Sequence, residues 1–300
     1  MPFRTLEISS EAEIHIRSGN LEIVQPEAKL SVPIEDLSIL IASGPNIRLS
    51  TQDISVLSEH DVLLLTINSH YEPSSMTLSF VSHSRQSDTM KKQLALNKRK
   101  RNELWNRIII RKIENQAMVL KYLKKEGSEE IFRLREKVNR GDKDNIEAYA
   151  AGRYFQYYHP GLNRRNEDPV NSCLNYGYAV VRSAVARSAA KHGFLLSDVI
   201  NHRNTFNPFN LVDDLMEPFR PMVDLLACSV VSDSIKLTRE QRRSLMGVLY
   251  NECRIAQTNT TVIHAIDIMV SDIRAFILEE KEETALPELL PVRYLGGTVE

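Results

Sequence analysis

The chain has 300 residues, room for two domains at ~150 residues each. A hydrophobic fraction of 42 % supplies a core, and eleven Gly with twelve Pro are too few for a collagen-like or disordered chain. Thirty-eight basic against 39 acidic residues give a net charge of −1, which excludes a globally basic nucleic-acid coat and an acidic tail protein. Three cysteines, Cys173, Cys228 and Cys253, lack paired spacing, so neither a disulfide framework nor a zinc ribbon is expected.

The first eighty residues predict strands at 4–9, 13–17, 21–24, 29–34 and 38–42, where apolar and polar residues alternate between Gly, Pro, Asn and Ser. Thr51 opens a short helix carrying Ile54, Val56 and Leu57. Residues 62–68 form a more deeply buried strand, and 76–81 a last one. The stretch 82–88 holds no apolar residue and reads as a linker. Beyond it, apolar residues recur with a period near 3.6, from Trp105 through Ile109 and Ile113 to Leu120. Further helices are expected at 129–138, 144–158, 172–192, 213–228, 238–255 and 261–281. The fold class is therefore α+β. A small N-terminal β domain (1–82) meets a linker (83–91), a larger all-α domain (92–284) and a flexible tail (285–300). The first twenty residues carry no secretory apolar run, and Val62–Leu65 falls far short of the ~18 residues of a membrane helix. A cytoplasmic protein is expected.

Charge is concentrated. Residues 91–140 hold sixteen basic and six acidic side chains, so the rest of the chain is acidic. Lys98, Arg99, Lys100, Arg101, Arg107 and Arg111 are candidates for holding a DNA backbone. A solvated helix face explains the same residues.

Two stretches carry candidate chemistry. In DNIEAYAAGRYFQYYHP (144–160), Asp144 and Glu147 have the spacing of a capping box. Alternatively Glu147, flanked by Ala148 and Gly152, points into a groove. In HRNTFNPFNLVDDLMEPFRP (202–221), Asp214 and Glu217 share a helix face and join His202. Two carboxylates and an imidazole suit Mg²⁺ or Mn²⁺, the nitrogen favouring Mn²⁺. A helix cap by Asp213 or Asp214 is the competing reading. Phosphate-loop, GxSxG and HExxH motifs are absent from the sequence.

These stretches resemble the CRISPR-associated endonuclease and integrase of spacer acquisition, the first Cas protein, in its type II subgroup. EAYAAGRYF (147–155) is similar to that family's Glu-bearing helix, NSCLNYGYAVVRSAVARSAAKHGF (171–194) to its long helix, and HRNTFNPFNLVDDLMEPFRPMVD (202–224) to its His loop and acidic helix. The resemblance implies a catalytic metal triad of Glu147, His202 and Glu217, with Asp214 as a possible further ligand and Asp213 competing for that place. It implies joining of the 3′-hydroxyl of spacer DNA to the CRISPR repeat by transesterification, with hydrolysis when water replaces the hydroxyl. Protonating His202 would release the ion, so activity should fall below roughly pH 6. The implied partners are double-stranded DNA, a second copy of the chain through the β domain, the small second Cas protein and the type II effector nuclease. A repair nuclease using the same site, or a DNA-binding scaffold without catalysis, would share the fold.

Overall fold

The computed structural model describes residues 4–68, 73–77, 79, 84–201 and 204–294. In the N-terminal region, β1 (Arg4–Ile8), β2 (Ala12–Arg17), β3 (Asn20–Val24), β4 (Lys29–Pro33), β5 (Leu37–Ala42) and β6 (Ile47–Leu49) precede α1 (Thr51–Glu59), β7 (Leu63–Ile67) and β8 (Pro73–Met76). They form two four-stranded sheets, ordered β1-β5-β7-β8 and β4-β3-β2-β6. α1 begins on a capping box in which Ser50 and Asp53 bond reciprocally. The short β6, which alternation did not mark, pairs parallel with β2. The expected strand at 76–81 extends largely outside the described residues.

The first sheet is covered on both faces. Ile39 and Ile41 of β5, with Leu63 and Leu65 of β7, pack into the helical core. The intervening Leu40 and Leu64 pack toward the second sheet. This period of two explains why 62–65 is uninterruptedly apolar. Tyr250 donates to Thr5 Oγ1 at 2.7 Å across the junction with the helical region.

The helical region comprises α2 (Gln86–Leu94), α3 (Lys98–Tyr122), α4 (Ser128–Leu134), α5 (Ile146–Tyr158), α6 (Pro169–Lys191), α7 (Asn210–Met216), α8 (Arg220–Val230), α9 (Arg239–Met246) and α10 (Val262–Ile277). Helix α2 covers residues 86–91 of the expected linker 83–91. Its polar sequence is held by Gln93, which bonds the Leu195 backbone in both directions at 2.9 and 3.0 Å. The α6–α8 crossing depends on Gly177, since a Cβ there would lie 2.4 Å from Val223 Cγ1.

The helical region also contains strands, which corrects the all-α expectation. The helix expected at 238–255 ends at Met246, and β9 (Asn251–Ile255) and β10 (Thr258–Thr261) form a hairpin. Ala256 and Gln257 make its turn, both at positive φ, and buried Cys253 and Ile255 alternate with polar residues in β9. Part of the expected tail is β11 (Glu288–Tyr294), whose pairing with β9 completes a three-stranded sheet.

Candidate cation site and cleft

Helix α3 runs through the helical core, burying Trp105, Ile108, Ile109, Ile113 and Leu120. Lys112 and Asn115 lie on this buried side as well. Lys112 Nζ hydrogen-bonds Glu147 Oε1 and forms an ion pair with Glu217 Oε2. Carboxylates seventy positions apart in the chain thus meet at one buried ammonium. Arg220 Nε also bonds Glu217, at Oε1 and 2.9 Å. Burial is the largest single influence on the Lys112 ammonium and pushes its pKa down, but Glu217 and Glu147 together outweigh it, and the pKa is raised.

Each carboxylate is placed by its local backbone. Glu147 sits in the first turn of α5. The cap is made by Asp142 rather than Asp144: its carboxylate accepts from the amides of Ile146 (2.8 Å) and Glu147 (3.0 Å). Asn145 at the helix start has φ 55°, which moves Asp144 off the cap, where it accepts instead from Asn139. Glu147 is therefore not a capping-box partner and is free of that duty. Ala148 and Gly152 are exposed rather than packed, so the groove expected beside them on α5 does not hold Glu147. Glu217 opens a single 3₁₀ turn, Glu217–Phe219, between α7 and α8. Pro218 and Pro221 lack amide donors, which interrupts regular helix there. Asn115 Nδ2 donates to the Pro218 carbonyl at 2.8 Å and the Pro287 carbonyl at 3.0 Å, while its Oδ1 accepts from Leu289 N at 3.0 Å. One buried amide on α3 thus ties the Glu217 turn to the chain entering β11.

His202 lies outside the described residues, but its approach is held firmly. Asp214, fully buried, accepts through Oδ2 from the amides of Ile200 (2.8 Å) and Asn201 (2.9 Å). Asp213 pairs with Arg182 at 2.6 and 3.0 Å and accepts from Asn207. Asn210 Nδ2 donates to the carbonyls of Asn204 (2.9 Å) and Asn207 (3.0 Å). The Asn-rich loop is thereby cross-braced. Among the described residues, no three His, Cys, Asp or Glu side chains converge as a metal cluster.

Beside Glu217 opens a cleft of about 530 Å³ lined by Arg164, Arg182, Arg220, Asn175, Asn207 and Tyr178 among others. Arg164 and Arg220 both stack on Tyr178, at 5.6 and 4.9 Å from the ring centre. Tyr178 and Tyr154 donate to the Asp224 carboxylate and Tyr158 to its carbonyl, so one buried aspartate supports this platform. Burial and the adjacent carboxylate push the Tyr154 and Tyr178 phenols well above their ordinary range, so both stay neutral donors to Asp224. Burial also pushes Asp224 up to about 6, despite the tyrosine hydrogen bonds. Between its ordinary value of 3.8 and about 6, the folded protein holds a proton that the unfolded chain releases. Stability should therefore fall by up to about 3 kcal/mol as pH rises through this window. Asp224→Asn should flatten that slope in urea denaturation at pH 4.5 and 7. An unchanged slope would assign the pH dependence to other groups.

The proposed DNA-binding cations divide into two groups. Arg101 bonds the carbonyls of Gln93, Leu96 and Val199 and pairs with Asp198, so it braces the loop before His202. Lys100 pairs with Glu279, Arg107 with Glu103, and Arg111 with Glu114 and Glu288. Lys98 and Arg99 are exposed on the first turn of α3. Sequence reasoning missed Lys112, Asn115, Arg164 and Arg182. Lys112 was one basic residue among sixteen, and nothing in its local spacing separates it from the others.

The fold and the site define an α+β protein with an acidic cation position next to an arginine-lined cleft. Residues 7–256 match the family described as CRISPR associated protein Cas1. The chain is 32 % identical to the CRISPR-associated endonuclease Cas1 of Neisseria meningitidis serogroup C over 98 % of each chain. It belongs to the Cas1 family. In three dimensions it resembles a casposase bound to integration product, with a TM-score of 0.77, 17 % identity and coverage of 95 % of this chain and 92 % of that one. A chain of a Cas6-RT-Cas1–Cas2 complex aligns with a TM-score of 0.72 and 17 % identity, over 94 % of this chain and 35 % of the other. No described helix is long and apolar enough to cross a membrane.

Proposed function

We propose that this protein is a divalent-metal-dependent DNA integrase and endonuclease of CRISPR adaptation, in which Glu147, His202 and Glu217 hold Mg²⁺ or Mn²⁺. The observation that carries the reading is the convergence of Glu147 and Glu217 on one buried cation position beside the arginine-lined cleft. The Lys112 ammonium marks where a positive charge is favoured, and the donors around it are hard oxygens that suit these ions. When bound, the ion supplies Lewis-acid stabilisation of charge developing on a phosphodiester. Glu147 and Glu217 would hold the ion, and Asp214 holds the backbone leading to His202. Arg164, Arg182 and Arg220 orient phosphate oxygens in the cleft, so that the 3′-hydroxyl of incoming DNA meets the repeat strand. The endonuclease name of the Neisseria relative supports phosphodiester chemistry. The small Cas2 protein, a second copy of this chain and the type II effector nuclease are the proposed partners, in the cytoplasm. The β4 edge of the second sheet, with Leu30 40 % exposed, is the surface offered for self-association.

The test is strand transfer. The protein, with Cas2, is mixed with short duplex DNA bearing 3′-hydroxyls and a supercoiled CRISPR plasmid, in Mn²⁺ or EDTA. Metal-dependent joined product that disappears in His202→Ala supports the integrase. Cut but unjoined DNA would leave only a nuclease, and intact binding without any product would leave a scaffold.

Exposed Lys98 and Arg99 give a second expectation. Reversing both to Glu should lower the slope of log affinity against log salt by about two. A slope equal to the wild-type one would make this turn a solvated face.

A further inference from the structure

Lys112 has no part in the chemistry above, yet it occupies the centre of the site. It projects from the middle of a 25-residue helix, so its backbone is fixed, and its side chain is only 8 % exposed. An ordinary surface ion pair joins one lysine to one carboxylate and contributes little. Here one ammonium lies against two carboxylates from separate elements, Glu147 at the start of α5 and Glu217 in the 3₁₀ turn. Without it, the part-buried Glu147 and the buried Glu217 would face each other with, among the described residues, Arg220 beside them, an arrangement that repels. With it, two negative charges meet two positive ones, Lys112 and Arg220, and the group is neutral before any metal arrives.

We propose that Lys112 is a built-in occupant of the cation position: its ammonium keeps Glu147 and Glu217 together in the metal-free protein and has to leave the gap before a divalent ion can settle there. The inference rests on the reading of those carboxylates as metal-holding groups. Its physical content is competition. Every divalent ion that binds replaces an internal ion pair, so the protein's own affinity for metal is weakened by the strength of that pair. An ion entering while Lys112 and Arg220 remain nearby leaves local positive charge in excess. An incoming DNA phosphate cancels it, so metal and DNA should strengthen each other's binding.

The experiment is Mn²⁺ binding to the full-length protein without DNA, followed by electron paramagnetic resonance and calorimetry, for the wild type, Glu217→Gln and Lys112→Met. Methionine keeps the length of the stem and removes the charge. Lys112→Met is expected to bind Mn²⁺ at least tenfold more tightly than wild type, to melt at lower temperature without metal, and to gain more in melting temperature on adding Mn²⁺. Glu217→Gln is expected to lose the site. Equal or weaker binding by Lys112→Met, with a wild-type site that Glu217→Gln removes, overturns the competition while the metal reading survives. Wild-type binding that does not depend on Glu217 takes down both. Should Lys112→Met fail to fold, acetylation of Lys112 in wild type decides the matter, with other lysines as internal reference. Labelling should rise several-fold at saturating Mn²⁺, and unchanged labelling overturns the proposal.

Discussion

Glu147→Gln is expected to cut metal-dependent DNA joining on the order of a thousandfold or more, with DNA affinity kept within about 1 kcal/mol. The separation follows from what Glu147 touches. Its carboxylate bonds Lys112, and its own amide is held by Asp142. Glutamine keeps the shape, leaves the helix start intact and leaves Lys112 paired with Glu217. The fold should therefore survive, and the loss should appear in the chemical step. Glu217→Gln should be as inactive but also less stable, by about 1.5–3 kcal/mol, because Arg220, partly exposed, loses a charge-assisted bond. Among the described residues, Lys112 and Arg220 both pair with Glu217, and of the two Lys112 also has Glu147. Urea denaturation of both variants beside joining assays checks the contrast. Wild-type joining by Glu147→Gln would remove it from the site, and equal stabilities would deny Glu217 its double pairing.

This asymmetry between two chemically identical residues shows what was legible in the sequence. Glu147 and Glu217 stood out because of the segments that contain them, and the strands of the N-terminal region stood out because alternation is a local property of burial on one face. The partner that joins the two glutamates did not. Lys112 is defined by long-range packing, which leaves no trace in the spacing of its neighbours. Asn115, one helical turn further on, is hidden for the same reason, since its partners lie more than a hundred positions away. The cap of α5 failed differently. Asp144 had the right type and spacing, but Asn145 adopts a left-handed conformation, and the turn hands the cap to Asp142. The strands β9 and β11 were missed because the first follows directly on helical sequence and the second contains Pro291, a residue that argues against a strand unless tertiary pairing overrides it.

Asp214 offers the sharpest test of whether an acidic residue beside a metal site ligates or braces. In the fold, Asp214 is fully buried and a single oxygen accepts from two consecutive amides, Ile200 and Asn201, immediately before His202. Asp214→Ala would leave both donors without that acceptor, at a cost of about 1–3 kcal/mol for the buried Ile200 amide and less for that of exposed Asn201. The chain carrying His202 would then lose its anchor, and a displacement near 1 Å at a reacting group costs about a hundredfold in rate. Joining should fall by that factor even where the variant is fully folded, and amide hydrogen exchange at Ile200 and Asn201 should accelerate. Asp214→Asn separates the two roles. An asparagine oxygen accepts both amides in the same place, so a brace is largely restored and joining returns close to wild type. A ligand is not restored, because the charge is gone, and the variant would then be as inactive as Glu147→Gln. Slow exchange at Ile200 and Asn201 in Asp214→Ala would show that the anchor lies elsewhere, and an inactive Asp214→Asn with protected amides would return Asp214 to the metal.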